Sequence, residues 1–139
     1  MTVQLRAAGR AATGAAASPR LIDAGDRLER EALAGCIVHP ELLPALGEMS
    51  PDHFDIELHR RLQAHLVDAG EAEADLVPLI AELDARAAAD AIDESTGKEL
   101  LLRLRERKLR RELADADPRQ MKDLQDALER VRQAVGELV

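Results

Sequence analysis

The chain reads as all-α: a small helical bundle followed by a long antiparallel helical hairpin. Three observations predict it. The 139 residues are rich in Ala, Leu, Glu and Arg and hold a single aromatic, Phe54, so strand-favouring side chains are scarce. Apolar residues recur at helical spacing between capping residues and prolines. The last third changes to a heptad pattern in a dense field of charge.

Taken in order, residues 1–22 form a flexible Ala-rich linker, "AAGRAATGAAASPR" having small residues and no apolar face. The bundle spans 23–96 and the hairpin 97–139. A first helix runs from about Asp26, as its cap, to Val38 and buries Leu28, Leu33, Cys36 and Ile37. "HPELLPALGEM" is a short second helix, with Pro40 in its first turn and Gly47 at its end. In "SPDHFDIELHRRLQAHL" the residues Phe54, Leu58, Leu62 and Leu66 make an i, i+4 stripe, with Ser50 and Asp52 as capping residues. Phe54 is expected to plug the core where this third helix begins. A fourth helix, about Asp75 to Ala89, turns Leu76, Leu79, Ile80 and Leu83 inward and holds Pro78 in its first turn. Residues 98–116 and 118–138 are two long charged helices, the second capped by Asp117 with Pro118 at its first position. Met121, Leu124, Leu128, Val131, Val135 and Leu138 form an a/d seam, and Leu102, Leu109 and Leu113 are its partner stripe. Their short connection predicts the hairpin.

Charge narrows the function. The net charge is −8, with 8 basic against 18 acidic residues over 1–97 and 11 against 9 over 98–139. An acidic body repels a phosphate backbone, so strong direct nucleic-acid binding is not expected. No apolar run approaches the roughly 20 residues needed to span a bilayer. One cysteine, Cys36, forbids an internal disulfide and reads as a small core residue.

Chemistry-bearing motifs fail on inspection. "STGKE" has Glu99 where a phosphate-binding loop needs Ser or Thr, and Ile92 where it needs Gly. Ser95 or Thr96 is expected to cap the long helix instead. Cys36 and His39 stand three apart, but no second pair at metal spacing joins them, and His53, His59 and His65 read as surface or helix-terminal histidines. No catalytic residue, cofactor site or metal site is expected. The run "RLRERKLRREL" is interrupted by Glu106 and Glu112 and has no aromatic beside it, which suits a protein-binding face better than a nucleic-acid one.

The body "LEREALAGCIVHPELLPALGEMSPDHFDIELHRRLQAHL" and the tail "RLRERKLRRELADADPRQMKDLQDALERVRQAV" resemble the C-terminal helicase-binding domain of bacterial DNA primase. The resemblance covers about residues 24–137 and rests on helix patterns and on "SPDHF". It implies a non-catalytic domain that docks primase on the N-terminal collar of the hexameric replicative helicase, in the cytoplasm at the replication fork. The polymerase and zinc-binding domains of primase would lie outside this chain. It also implies that the hairpin makes much of the contact. Individual contact residues do not follow from the motif. Exposure and charge point to Arg107, Arg110, Arg111, Arg130 and Arg132. Two alternatives stay open: the N-terminal domain of the helicase itself, which shares the fold, and a free-standing helical adaptor. Weak self-association through the heptads accompanies the last.

Overall fold

A computed structural model describes residues 19–68 and 70–138, with side chains from Gly25 onward. Every regular element among them is helical: α1 Pro19–Val38, α2 Leu43–Gly47, α3 Glu57–Asp68, α4 Val77–Ala89, α5 Glu94–Asp115 and α6 Pro118–Glu137. Single 3-10 turns at Pro40–Leu42 and Pro51–His53 precede α2 and the approach to α3. No helix among the described residues is long and apolar enough to cross a membrane.

Helix α1 is the centre of the body and packs on α3, α4 and α5. Leu33 and Cys36 of α1 meet Leu42, Leu46, Phe54, Leu62, Leu76, Leu83 and Leu104 in one core. The inward faces expected for the first and fourth helices are these, with Leu28, Ile37 and Ile80 partly buried at their margins. Helix α1 and α5 come unusually close. The Cα of Gly97 lies 3.2 Å from where a Cβ on Gly35 would sit, and a Cβ on Gly97 would stand 2.5 Å from Leu42 Cδ1. The glycine of "STGKE" is therefore a packing glycine at a helix crossing.

Several expectations are corrected. Helix α1 starts at Pro19, so residues 19–22 are its first turn rather than linker, and Asp26 lies inside the helix rather than at its cap. Pro19 is pre-set for a first helical position, and the stretch from Arg20 to Ala24 contains no helix breaker. Residues 1–18 lie outside the described residues. Phe54 is fully buried, as expected, but sits in extended backbone (φ −114°, ψ 130°) three residues ahead of α3. The i, i+4 stripe is thus helical only from Leu58. Helix α5 is capped by Asp93, whose carboxylate accepts from Thr96 N at 2.7 Å, and not by Ser95 or Thr96. The boundary drawn between residues 96 and 97 is no gap in packing, because Leu101 and Leu104 of α5 belong to the main core.

Helix α4 ends in a Schellman arrangement: Ile92 N donates to Ala87 O and Ala91 N to Ala88 O. The left-handed position is filled by Ala91, at φ 52°. A Cβ there costs about 1–2 kcal/mol that glycine avoids. Ala91→Gly is expected to stabilise the fold by about 1 kcal/mol, net of glycine's greater unfolded-state entropy. A urea midpoint that falls in A91G would contradict this.

Helix α6 packs on α5. Asp117 caps it through the N–H groups of Arg119 and Gln120, and the Gln120 side chain accepts back from Asp117 N. Of the expected seam, Leu128 is buried; Leu124, Val131, Val135 and Leu138 are half-buried, and Met121 is 39% exposed. No α6 residue enters the main core. A chain cut after Asp117 should therefore keep α1–α5 folded, with a cooperative thermal transition by circular dichroism. Loss of that transition would show that α6 holds up the body.

Candidate protein-interaction surface

The stretch from Ser50 to Ile56 joins the α2 and α3 helices. Such irregular backbone, when buried, must find partners for its N–H and C=O groups. Here side chains from three helices supply them. The Asp55 N–H donates to Glu29 Oε2 at 2.9 Å and the Ile56 N–H points at Glu29 Oε1 at 3.4 Å. The Phe54 and Asp55 carbonyls accept from Arg60, at 2.8 and 3.1 Å. The His53 carbonyl accepts from Arg107 at 2.8 Å. These bonds hold Phe54 extended, because the groups a helix would use are already taken.

Glu29 is the hub. Only 1% exposed, it also accepts from His59 Nδ1 at 2.8 Å and Arg107 Nη2 at 2.7 Å. Burial pushes its carboxyl upward, but the bonds from His59, Asp55 and Arg107 outweigh this and hold it below the ordinary range. Gln63, also buried, donates to the carbonyls of Leu46 and Met49 at the end of α2. His59, expected at the surface, is instead buried at 2% exposure beside Glu29, because their helices turn both side chains inward. Glu29 does not stand out in a linear reading. The signal present in the sequence is register: Glu29, Leu33 and Cys36 are spaced i, i+4, i+7, which puts a carboxylate on the core face.

The five arginines expected to bind a partner fall into different settings. Arg107 is not a surface residue; it is 16% exposed and committed to Glu29 and the loop. It follows Gly97, Leu101 and Leu104 along the inward face of α5. Arg111 makes a two-toothed pair with Asp55 at 2.7 and 3.0 Å, which holds the Asp55 carboxyl below its usual range. Both partners are about half exposed, so screening keeps the pair near ~1 kcal/mol or less. Arg110 and Arg132, from α5 and α6, converge on Glu106 at 3.0 and 3.6 Å. Arg130 stands on the rim of a groove.

That groove, about 440 Å³, runs between α5 and α6. Leu102, Leu109 and Val131 are its apolar lining, and Arg105, Lys108 and Arg130 edge it. His53 reaches it from the loop, so groove and buried hub share one residue of backbone.

Compared with known proteins, the chain matches no family model, no curated protein and no solved structure. Among the described residues, no group of three His, Cys, Asp or Glu side chains is placed to hold a metal ion. His39 Nε2 instead donates to the Ile92 carbonyl at 2.8 Å, and burial pushes the Cys36 thiol up to about 12. The thiol therefore stays protonated and unreactive at neutral pH.

Proposed function

We propose that the chain is a non-catalytic protein-interaction domain of the kind that closes bacterial DNA primase. In this reading it docks primase on the N-terminal collar of the hexameric replicative helicase and couples primer synthesis to the fork. The reading takes the fold as a small bundle, α1–α4 with the inward half of α5, followed by an antiparallel hairpin of α5 and α6. The observation that carries it is the α5–α6 pair itself. Its second helix stands outside the main core, and its outer faces carry Arg105, Arg110, Arg130 and Arg132. A helix retained without a core of its own fits an element kept for a partner. The sequence resemblance supplies the partner's identity.

The test is titration of the full chain against a bacterial replicative helicase hexamer at two salt concentrations. Saturable binding that weakens when Arg110 and Arg132 are both changed to Glu is expected. Absence of binding to the hexamer would overturn the reading. So would template-dependent ribonucleotide incorporation by the purified chain.

A further inference from the structure

We infer that the groove between α5 and α6 seats an acidic amphipathic helix from a partner protein. The inference rests on reading the α5–α6 pair as a partner-binding element, but not on the partner being a helicase.

The first ground is an unfinished seam. Leu102, Leu109 and Leu113 of α5 and Leu124, Val131 and Val135 of α6 lie at heptad positions, yet all remain half-buried, and only Leu128 is covered. Two helices bury one layer between them; a heptad face of this breadth is closed by a third. The groove walls suit one. Leu102 and Leu109 stand seven apart on α5, and Ala127 and Ala134 stand seven apart on α6. Each wall is about 10 Å long, or two helical turns. The two alanines leave room for a third backbone to approach. An occupant would present apolar residues at i, i+3 or i+4, and i+7.

The second ground is charge. Arg105, Lys108 and Arg130 edge the groove, with Glu112 as its single acid. Lys108 is held by Glu112 at 2.7 Å, whereas Arg105 and Arg130 have no ion-pair partner among the described residues. This is a cationic rim on a protein of net charge −8. Acidic flanks complement it; a second copy's α5–α6 pair would bring the same rim against itself. The segment 1–18 of this chain holds Arg6 and Arg10 and no acid, so it does not match the rim either.

His53 reports the same field. Burial lowers its pKa most, its bond to the Ser50 carbonyl opposes this, and Lys108 and Arg105 lower it further, against a smaller pull from Glu112. A carboxylate-bearing occupant would reverse the cationic contribution. Binding should raise the His53 pKa and, by linkage, tighten as pH falls through it.

The experiment uses the full chain and two synthetic helical peptides with one leucine face, flanked by glutamates in one and lysines in the other. The glutamate peptide should bind and the lysine peptide should not. Arg105→Glu with Arg130→Glu should weaken binding by about tenfold or more, without loss of helicity. The His53 ring resonances should titrate at higher pH in the complex. Equal binding of both peptides, or unchanged binding by the double variant, would overturn the inference. So would a chain dimer that the double variant dissolves, which would make the occupant a second copy. Competition by a single-stranded oligonucleotide for the groove would also overturn it. If the peptide binds here and the hexamer does not bind, the groove stands and the helicase reading falls. If the double variant binds the hexamer normally but neither form binds the peptide, the groove falls alone.

Discussion

Glu29→Ala should lower the unfolding free energy by about 3–5 kcal/mol, the cost of stripping one partner from a buried ion pair. Its carboxylate satisfies the Asp55 N–H, the His59 ring and Arg107; the His59 bond is buried and the other two are partly so. Removal leaves the Asp55 N–H and the His59 ring without their partner and strips the partly buried Arg107 of its nearest carboxylate, with the His53 carbonyl still bound. Urea titration at neutral pH reads the loss directly; a loss below about 1 kcal/mol would show that the network is ornamental. Arg107→Ala should cost a similar amount, and the double change less than the sum, because both remove the same coupling. Glu29 also sets an acid limit. Its folded-state pKa lies below the ordinary 4.5, so its contribution is full above that value and drains away as pH falls through the lower, folded one. Asp55 acts in the same direction, chiefly through its bond from Arg111. Wild type should therefore lose stability in acid below the ordinary carboxylate range. Glu29→Gln should show a flatter acid limb from a lower start.

Phe54→Ala should cost about 3–5 kcal/mol through the cavity it leaves, since the ring is fully buried. The effect should be one of stability. Partner binding, measured at a temperature where the variant remains folded, should be near wild type. Abolished binding with an unchanged melting temperature would make Phe54 an interface residue. The two changes meet at one place, for the ring is held in the core by a loop whose amides Glu29 binds.

How far the molecule can be read from its sequence depends on which force places a residue. Leu33, Leu62 and Leu83 are placed by burial, and burial repeats with the helix, so the periodic pattern carries them. On α5 the expected stripe of Leu102, Leu109 and Leu113 is only half-buried, and the core face is instead that of Leu101 and Leu104. The Asp117 cap and Pro118 are local and equally plain. Glu29 and Arg107 are 78 positions apart, and their pairing is a tertiary fact with no local signature. Arg107 looks like its neighbours because a run of arginines hides register. Only the true start of α5, at Glu94, aligns it behind Gly97, Leu101 and Leu104. The cap of that helix lies two or three residues earlier than expected because "DESTG" offers several good capping side chains in succession. The groove is foreshadowed by the heptads, but its rim is not: Arg130 stands out by charge and exposure, whereas Arg105 and Lys108 are lost beside Arg107.

The glycine crossing has a mechanical consequence. Helix α5 has 22 residues and so is about 33 Å long. Near its start Gly97 rests against Gly35 with no side chain between, and about halfway along Arg107 pins it to Glu29. The rod is held at this crossing, by Leu101 and Leu104 in the core and by Arg107, with Arg111 tied to Asp55 beyond, and its far end carries the turn at Asp117. A pivot raised by one methyl group at Gly97 would tilt the rod about Arg107 and move the far end by about as much in the opposite direction, since both arms are about 15 Å long. The aim of the outer helices is thus set in part at a contact that lies outside the groove, five residues before Leu102, the first groove residue along α5.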